Sequence, residues 1–230
     1  MLLLTLSACD VLTPYLEEVR ETPTEVLYGG SVVQGAPVGE NLLLEAGSVT
    51  FFDLSGEVLA EAEQPYASNL GYWRAKVPVS TPYILRIEAE DSYPSIWRDT
   101  TPGQAGLWFT GALFSWPHAQ VDPFFESLSE NLSIEIADLK TEDVVHLWGQ
   151  VLNPEAATIS DWLVRDSDGK RPEVYGFAIQ EDGSMVQTEE APIDYFFAFN
   201  LTPGDLEVAG VNYSAEAGDL ISAWWFEVLE

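Results

Sequence analysis

The sequence predicts an all-β protein: two antiparallel β-sandwich segments joined by a stretch with one short helix. Three observations lead there. Beyond residue 25 the apolar residues recur with a period near two in short runs, the runs are bounded by Gly, Pro, Asn and Asp, and the same order of features appears twice. Composition agrees. With 47% hydrophobic and 12% aromatic residues among 230, the chain can bury a sizeable core and is too apolar for a disordered acidic chain.

The chain opens Met1-Leu2-Leu3-Leu4-Thr5-Leu6-Ser7-Ala8-Cys9-Asp10, an apolar run ending in small residues before its only cysteine. Small side chains there let an extended backbone enter a signal-peptidase cleft. Leu6-Ser7-Ala8-Cys9 resembles the lipobox of bacterial lipoproteins at all four positions. The resemblance implies that Cys9 is lipidated and that residues 1–8 are removed as a signal peptide, truncated here because it lacks a basic n-region and a full h-region. Each methylene of an acyl chain buried in lipid contributes ~0.8 kcal/mol, so several chains anchor durably. The protein would then be tethered in the cell envelope, on the periplasmic face of either membrane or at the cell surface. A short apolar strand with a buried free cysteine is the competing reading. Residues 9–25, with Pro14, Pro23 and four glutamates from Glu17 to Glu25, read as a tether carrying one helical turn around Tyr15 to Arg20.

Residues 26–92 form the first sandwich segment. In Tyr72-Trp73-Arg74-Ala75-Lys76-Val77 and in Ile84-Leu85-Arg86-Ile87, polar and apolar residues alternate as on a strand with one buried face. Residues 93–142 differ in character. Trp97 to Gly103 reads as a loop, Leu107 to Phe114 as a buried strand or helix core, and Trp116-Pro117-His118 as a second loop. Asp122-Pro123 before Phe124-Phe125 has the N-cap and first-turn proline of a short helix. This stretch is expected to pack against both sandwiches.

Residues 143–230 form the second segment and repeat the words of the first. Tyr28-Gly29-Gly30-Ser31-Val32 is matched by Leu147-Trp148-Gly149-Gln150-Val151, and Asp53-Leu54-Ser55-Gly56 by Asp166-Ser167-Asp168-Gly169. Tyr72 to Pro78 is matched by Tyr195 to Leu201, followed by Thr202-Pro203-Gly204. In that order the words resemble the carboxypeptidase regulatory-like family of small prealbumin-like, Ig-like β-sandwiches. The second segment fits better, since the first has Val79 where the family's loop has glycine after Pro78. The resemblance implies an accessory module without catalysis of its own.

Charge and side-chain inventory then narrow the function. A net charge of -29 opposes phosphate backbones, so no nucleic-acid partner is expected. One cysteine and two histidines, His118 and His146, leave no intrachain disulfide, no cysteine-rich zinc site and no three-histidine metal site, and no cofactor is expected. Neither histidine has helical ligand spacing, and no G-x-S-x-G nucleophile elbow occurs. Asp166-Ser167-Asp168-Gly169 offers oxygens for calcium, but Lys170 and Arg171 follow, so a tight turn is the preferred reading. Asp182-Gly183 signals a hairpin. Among the eight tryptophans, Trp108 and Trp148 read as core, while Trp97, Trp116 and Trp162 are the candidates for exposed ligand-binding aromatics. The expected function is a lipid-anchored, non-catalytic structural or protein-interaction module. A carbohydrate- or peptide-binding lipoprotein using those indoles is the alternative, and a carboxylate-dependent hydrolase a third. The partners implied are the membrane through the anchor, and a protein or glycan.

Overall fold

Alternation of apolar and polar residues becomes strand pairing, and it does so twice on one plan. In the computed structural model the described residues are 24–34, 42–43, 47–62, 72–103, 106–151, 153–157 and 163–226. The lipobox with Cys9, the turn at Tyr15 to Arg20 and Trp162 lie outside the described residues.

The first unit comprises β1 (Glu25–Gln34), β2 (Leu42–Leu43), β3 (Ser48–Phe52), β4 (Val58–Glu61), β5 (Tyr72–Pro78), β6 (Pro82–Glu88), β7 (Ser92–Tyr93), β8 (Ser95–Thr100) and β9 (Gly106–Pro117). Helix α1 (His118–Leu132) follows. The second unit comprises β10 (Val145–Val151), a 3-10 turn (Pro154–Ala156), β11 (Val164–Arg165), β12 (Tyr175–Ile179), β13 (Met185–Thr188), β14 (Tyr195–Leu201), β15 (Gly204–Val208), β16 (Val211–Ala215) and β17 (Leu220–Phe226).

In one layer of the first unit β1 lies between β5, antiparallel, and β9, parallel. In the second unit β10 lies between β14, antiparallel, and β17, parallel. The facing layers are β3-β6-β8, with β4 beside β3, and β11-β15-β16.

The registers of the two units run alike except for a shift between Val145 and Leu147 in the second. Val26, Tyr28 and Gly30 face Val77, Ala75 and Trp73; Val145, Leu147 and Gly149 face Leu201, Ala198 and Phe196. Each parallel pairing also slips by one residue near that glycine, between Gly29 and Ser31 and between Gly149 and Val151. The two D-x-x-G words close the same turn. Asp53 N–H donates to the Glu57 carbonyl, Gly56 N–H to the Asp53 carbonyl and Glu57 N–H to the Asp53 carboxylate; Asp166, Gly169 and Lys170 make the same three bonds. Gly56 and Gly169 hold φ of 87° and 73°, the left-handed region glycine enters without strain. The hairpin expected at Asp182-Gly183 joins β12 to β13.

Each sandwich encloses its own core. Val26, Tyr28, Trp73 and Val77 pack against Phe51, Tyr83 and Leu85 in the first, and Val145, Leu147, Phe196 and Leu201 against Val164, Leu206 and Val208 in the second. A third apolar layer lies under α1, where Val121, Phe125 and Leu128 meet Trp148, Phe177, Phe197 and Phe199. It explains why β14 is apolar on both faces: Phe196 and Ala198 face the sandwich, Phe197 and Phe199 the helix layer.

The units share a sheet. β17 pairs with β8 in parallel, Leu220 opposite Ser95 and Ile221 opposite Ile96, giving the nine-stranded order β13-β12-β14-β10-β17-β8-β6-β3-β4. Several expectations are corrected here. Residues 93–142 are less a connector than a source of strands, since β8 and β9 belong to the layers of the first unit. Most pairings are antiparallel, but β1-β9, β10-β17 and β17-β8 are parallel. Trp97 to Thr100 is strand, not loop, because it pairs antiparallel with Pro82 to Leu85 of β6. Trp116 and Pro117 end β9, and α1 begins at His118 rather than Asp122, since the apolar stripe already starts at Val121; Pro123 lies inside the helix.

Candidate functional site

The junction between the two units holds the buried side chains of Ser95, Asp219 and Ser222, and two clusters stitch it. Ser95 in β8 and Ser222 in β17 lie at the parallel pairing, 0% and 1% exposed, with their hydroxyls 3.1 Å apart. Three indoles converge on them. Trp97 Nε1 donates to Ser95 Oγ at 3.0 Å, Trp148 Nε1 to Ser222 Oγ at 2.8 Å, and Trp116 Nε1 is shared between the two at 3.1 and 3.0 Å. Trp116 and Trp148 also meet edge to face, with centroids 4.8 Å apart. Hydroxyls suit this role because each accepts twice, so two small residues receive the donors of three large ones in a dry core.

The second cluster is an ion pair. The Arg86 guanidinium of β6 meets the carboxylate of Asp219, just before β17, with Nη1 donating to Oδ2 at 3.0 Å and Nη2 lying 2.9 Å from Oδ1. Arg86 Nε donates to Glu88 at 2.9 Å, and the Glu216 N–H donates to Asp219 Oδ2 at 2.6 Å. Asp219 is fully buried, and this desolvation pushes its carboxyl up to about 6 although Arg86 pulls the other way. Arg86 is held above its ordinary value by Asp219 and Glu88 against its own burial.

Beside these clusters an open cleft of about 380 Å³ separates the units. Arg98, Ile84 and Leu54 of the first unit face Arg165, Asp205, Glu207 and Tyr213 of the second. Arg98 reaches across to donate to the Asn212 carbonyl. Burial raises the Tyr213 hydroxyl to about 12, with Arg98 opposing. The cleft therefore presents two guanidiniums, carboxylates and a protonated phenol. Its lining includes neither histidine, so a serine beside it has no imidazole base.

Both histidines serve the helix layer. His146 lies on the opposite face of β10 from Val145 and Leu147, as alternation predicts, but α1 covers that face and the ring is 0% exposed, 5.2 Å from Phe125. Its Nδ1 accepts from the Asn200 N–H at 3.1 Å, so Nε2 carries the proton and donates to the Ala137 carbonyl at 2.9 Å. Burial lowers its pKa and keeps it neutral. His118 sits edge-on to Tyr93, 4.4 Å between centroids, and is also lowered, by burial first and then by Lys140. Tyr93 donates to Asp122 at 2.6 Å, and Lys140 pairs with the same carboxylate. These bonds hold the start of α1 against the body.

The aromatic candidates are redistributed. Trp97 and Trp116, expected to be exposed, are 8% and 0% exposed because Trp97 packs in the core of the first sandwich and Trp116 in the helix layer. Trp148 is core as expected, while Trp108 is 40% exposed on β9. At Asp166 both carboxylate oxygens are engaged, one by the Lys170 N–H and the other by the Thr202 hydroxyl, while Lys170 pairs with Asp168 at 3.0 Å. The segment is a turn. Among the described residues no group of three or more His, Cys, Asp or Glu is placed to hold a metal ion. No described helix is long and apolar enough to cross a membrane.

Sequence reasoning missed Ser95, Ser222, Arg86 and Asp219. Arg86 alternates with Leu85 and Ile87, which predicts a solvent-facing side chain; an arginine inside an otherwise apolar strand was the available signal for a buried partner.

The sequence matches no protein-family model and no curated protein. Among solved structures it is similar to the Bacillus anthracis TIE protein, at 10% identity and a TM-score of 0.29, over 87% of this chain and 34% of that one. It is also similar to a leucine-rich repeat protein from Bacteroides thetaiotaomicron, at 8% identity and a TM-score of 0.22, over 88% of this chain and 26% of that one. A third similarity is to DIP-gamma IG1+IG2, at 10% identity and a TM-score of 0.18, over 89% of this chain and 99% of that one. The chain thus spans about a third and a quarter of the first two. Overlaps with TM-scores this low carry no argument about function.

Proposed function

We propose that this chain is a lipid-anchored, extracytoplasmic protein whose two β-sandwich units form a non-catalytic structural or protein-interaction module. The carrying observation is the junction. A shared nine-stranded sheet, a buried Arg86–Asp219 pair and a knot of two serines and three tryptophans fix one unit against the other. That much buried polar specificity at a seam suits a protein that must hold two surfaces in a set orientation. The groups with most chemical capacity, His146, Asp166, Asp219 and Tyr93, are spent on architecture. The anchor reading rests on Leu6-Ser7-Ala8-Cys9.

Two measurements test the proposal. Spin labels at the exposed positions Val58 and Val186, each changed to Cys in a Cys9→Ser background, should give one narrow distance distribution between the units. A broad distribution would remove the basis for a fixed two-unit body. For the anchor, the chain expressed in a bacterium with an export signal supplied ahead of Leu2 should incorporate palmitate, and Cys9→Ser should abolish the incorporation. Labelling that persists in the variant would sink the lipid-anchor reading.

A further inference from the structure

We infer that the outer edge of β9, from Gly106 to Thr110, is a docking edge for a parallel β-strand supplied by a sandwich module of another polypeptide. The duplicated plan of the chain carries the inference. In the second unit the last strand, β17, pairs on one side with β10 and on the other receives β8 of the neighbouring unit. The last strand of the first unit is β9. It pairs with β1 along its length, and among the described residues its other edge meets only β7, at Trp116 and Pro117.

The correspondence extends to single residues. Tyr28 and Leu147 are equivalent, facing Ala75 and Ala198. Trp108 lies opposite Tyr28 and Ile221 opposite Leu147, so Leu107-Trp108 occupies the place of Leu220-Ile221. Those two residues carry the docked strand in the second unit, and both are buried, at 2% and 0% exposure. Trp108, at the same place with no strand beside it among the described residues, is 40% exposed. A large apolar side chain beside a strand edge that no described strand covers is what strand addition uses, the main chain giving affinity and the side chain selectivity.

A second copy of this chain does not fit as the occupant. Its β8 is already flanked by β6 and β17. The equivalent strand, β16, turns back at Ala209-Gly210 where β8 continues to Ile96 and Ser95, and Arg98 takes the Asn212 carbonyl. The occupant is thus an extended apolar strand from a module of the same kind whose own edge is open.

This inference rests on the reading of the chain as an interaction module and names its partner class. Its test uses the whole chain and a synthetic peptide of residues 92–100, the segment that docks on the equivalent edge. Saturating peptide should slow hydrogen exchange of alternate amides between 106 and 110 at least tenfold, and a peptide of reversed sequence should not. Trp108→Lys should weaken peptide binding at least tenfold with an unchanged circular dichroism spectrum and urea midpoint. The inference is overturned by unchanged exchange at millimolar peptide, by equal binding to Trp108→Lys, or by protection of the same amides in concentrated protein alone, which would make a second copy the occupant. Failure here together with a narrow distance between labels at 58 and 186 would leave the two-unit reading standing.

Discussion

Asp219 shows how a single residue couples the junction to pH. Because its folded-state carboxyl is raised to about 6 from 3.8, the folded chain holds this proton more tightly than the unfolded one. Its contribution to stability is therefore full below about 3.8 and is lost as pH rises through about 6. Neutral His146 has the opposite sign: its pKa lies below 6.5 when folded, so its contribution is present above that value and lost as pH falls. A variant separates the two. Asp219→Asn keeps a neutral side chain at every pH, so urea titrations should show the variant gaining on the wild type by on the order of 2–3 kcal/mol between pH 4 and pH 7. A difference that stays flat across that range would refute the assignment.

Elements here are set by single close approaches. At Gly149 in β10, a Cβ would stand 2.2 Å from the Phe196 ring of β14 and 3.0 Å from the Ala223 carbonyl of β17, so all three strands depend on the missing side chain. Phe196 is fully buried and has no room to move. Gly149→Ala should therefore cost about 2–3 kcal/mol, read as a lower urea midpoint with the slope retained. An alanine at Gly56 instead meets open space, and only the left-handed φ of 87° resists it, at about 1 kcal/mol. Comparable losses at the two sites would contradict the packing described for Gly149. The repeated glycine word was legible in the sequence because backbone closeness and turn geometry leave local marks. The start of α1 was misread for the converse reason: Asp122-Pro123 mimics a helix start, while the stripe that decides the boundary, Val121-Phe125-Leu128, is defined by the sheet it covers.

The whole molecule depends on the seam. Ser222→Ala removes the hydroxyl that accepts from the Trp148 indole N–H, while the Trp116 N–H, shared between the two serines, keeps Ser95 Oγ. A buried donor that loses its acceptor costs about 1–3 kcal/mol, so the variant should lose about that much unfolding free energy. Loss of Trp148 reaches the second unit and loss at Trp116 the first, so both should destabilise in one transition by tryptophan fluorescence and circular dichroism. Two separated transitions would show the units folding independently.

Read from residues in order, the sequence determined the all-β class, the two units, the D-x-x-G turns at Asp53 and Asp166, and the aromatic strand at Tyr195 to Leu201. Those features are written in short-range alternation and turn chemistry, which do not need the rest of the chain. Only the tertiary structure decided that β8, at the edge of its own layer, also pairs with β17. With it were decided the burial of Trp97 and Trp116, the pairing of Arg86 with Asp219 across 133 positions, and the exposure of Trp108. Alternation says which side chains share a face; it carries no information on what lies across that face. That is set by how the two sandwiches dock.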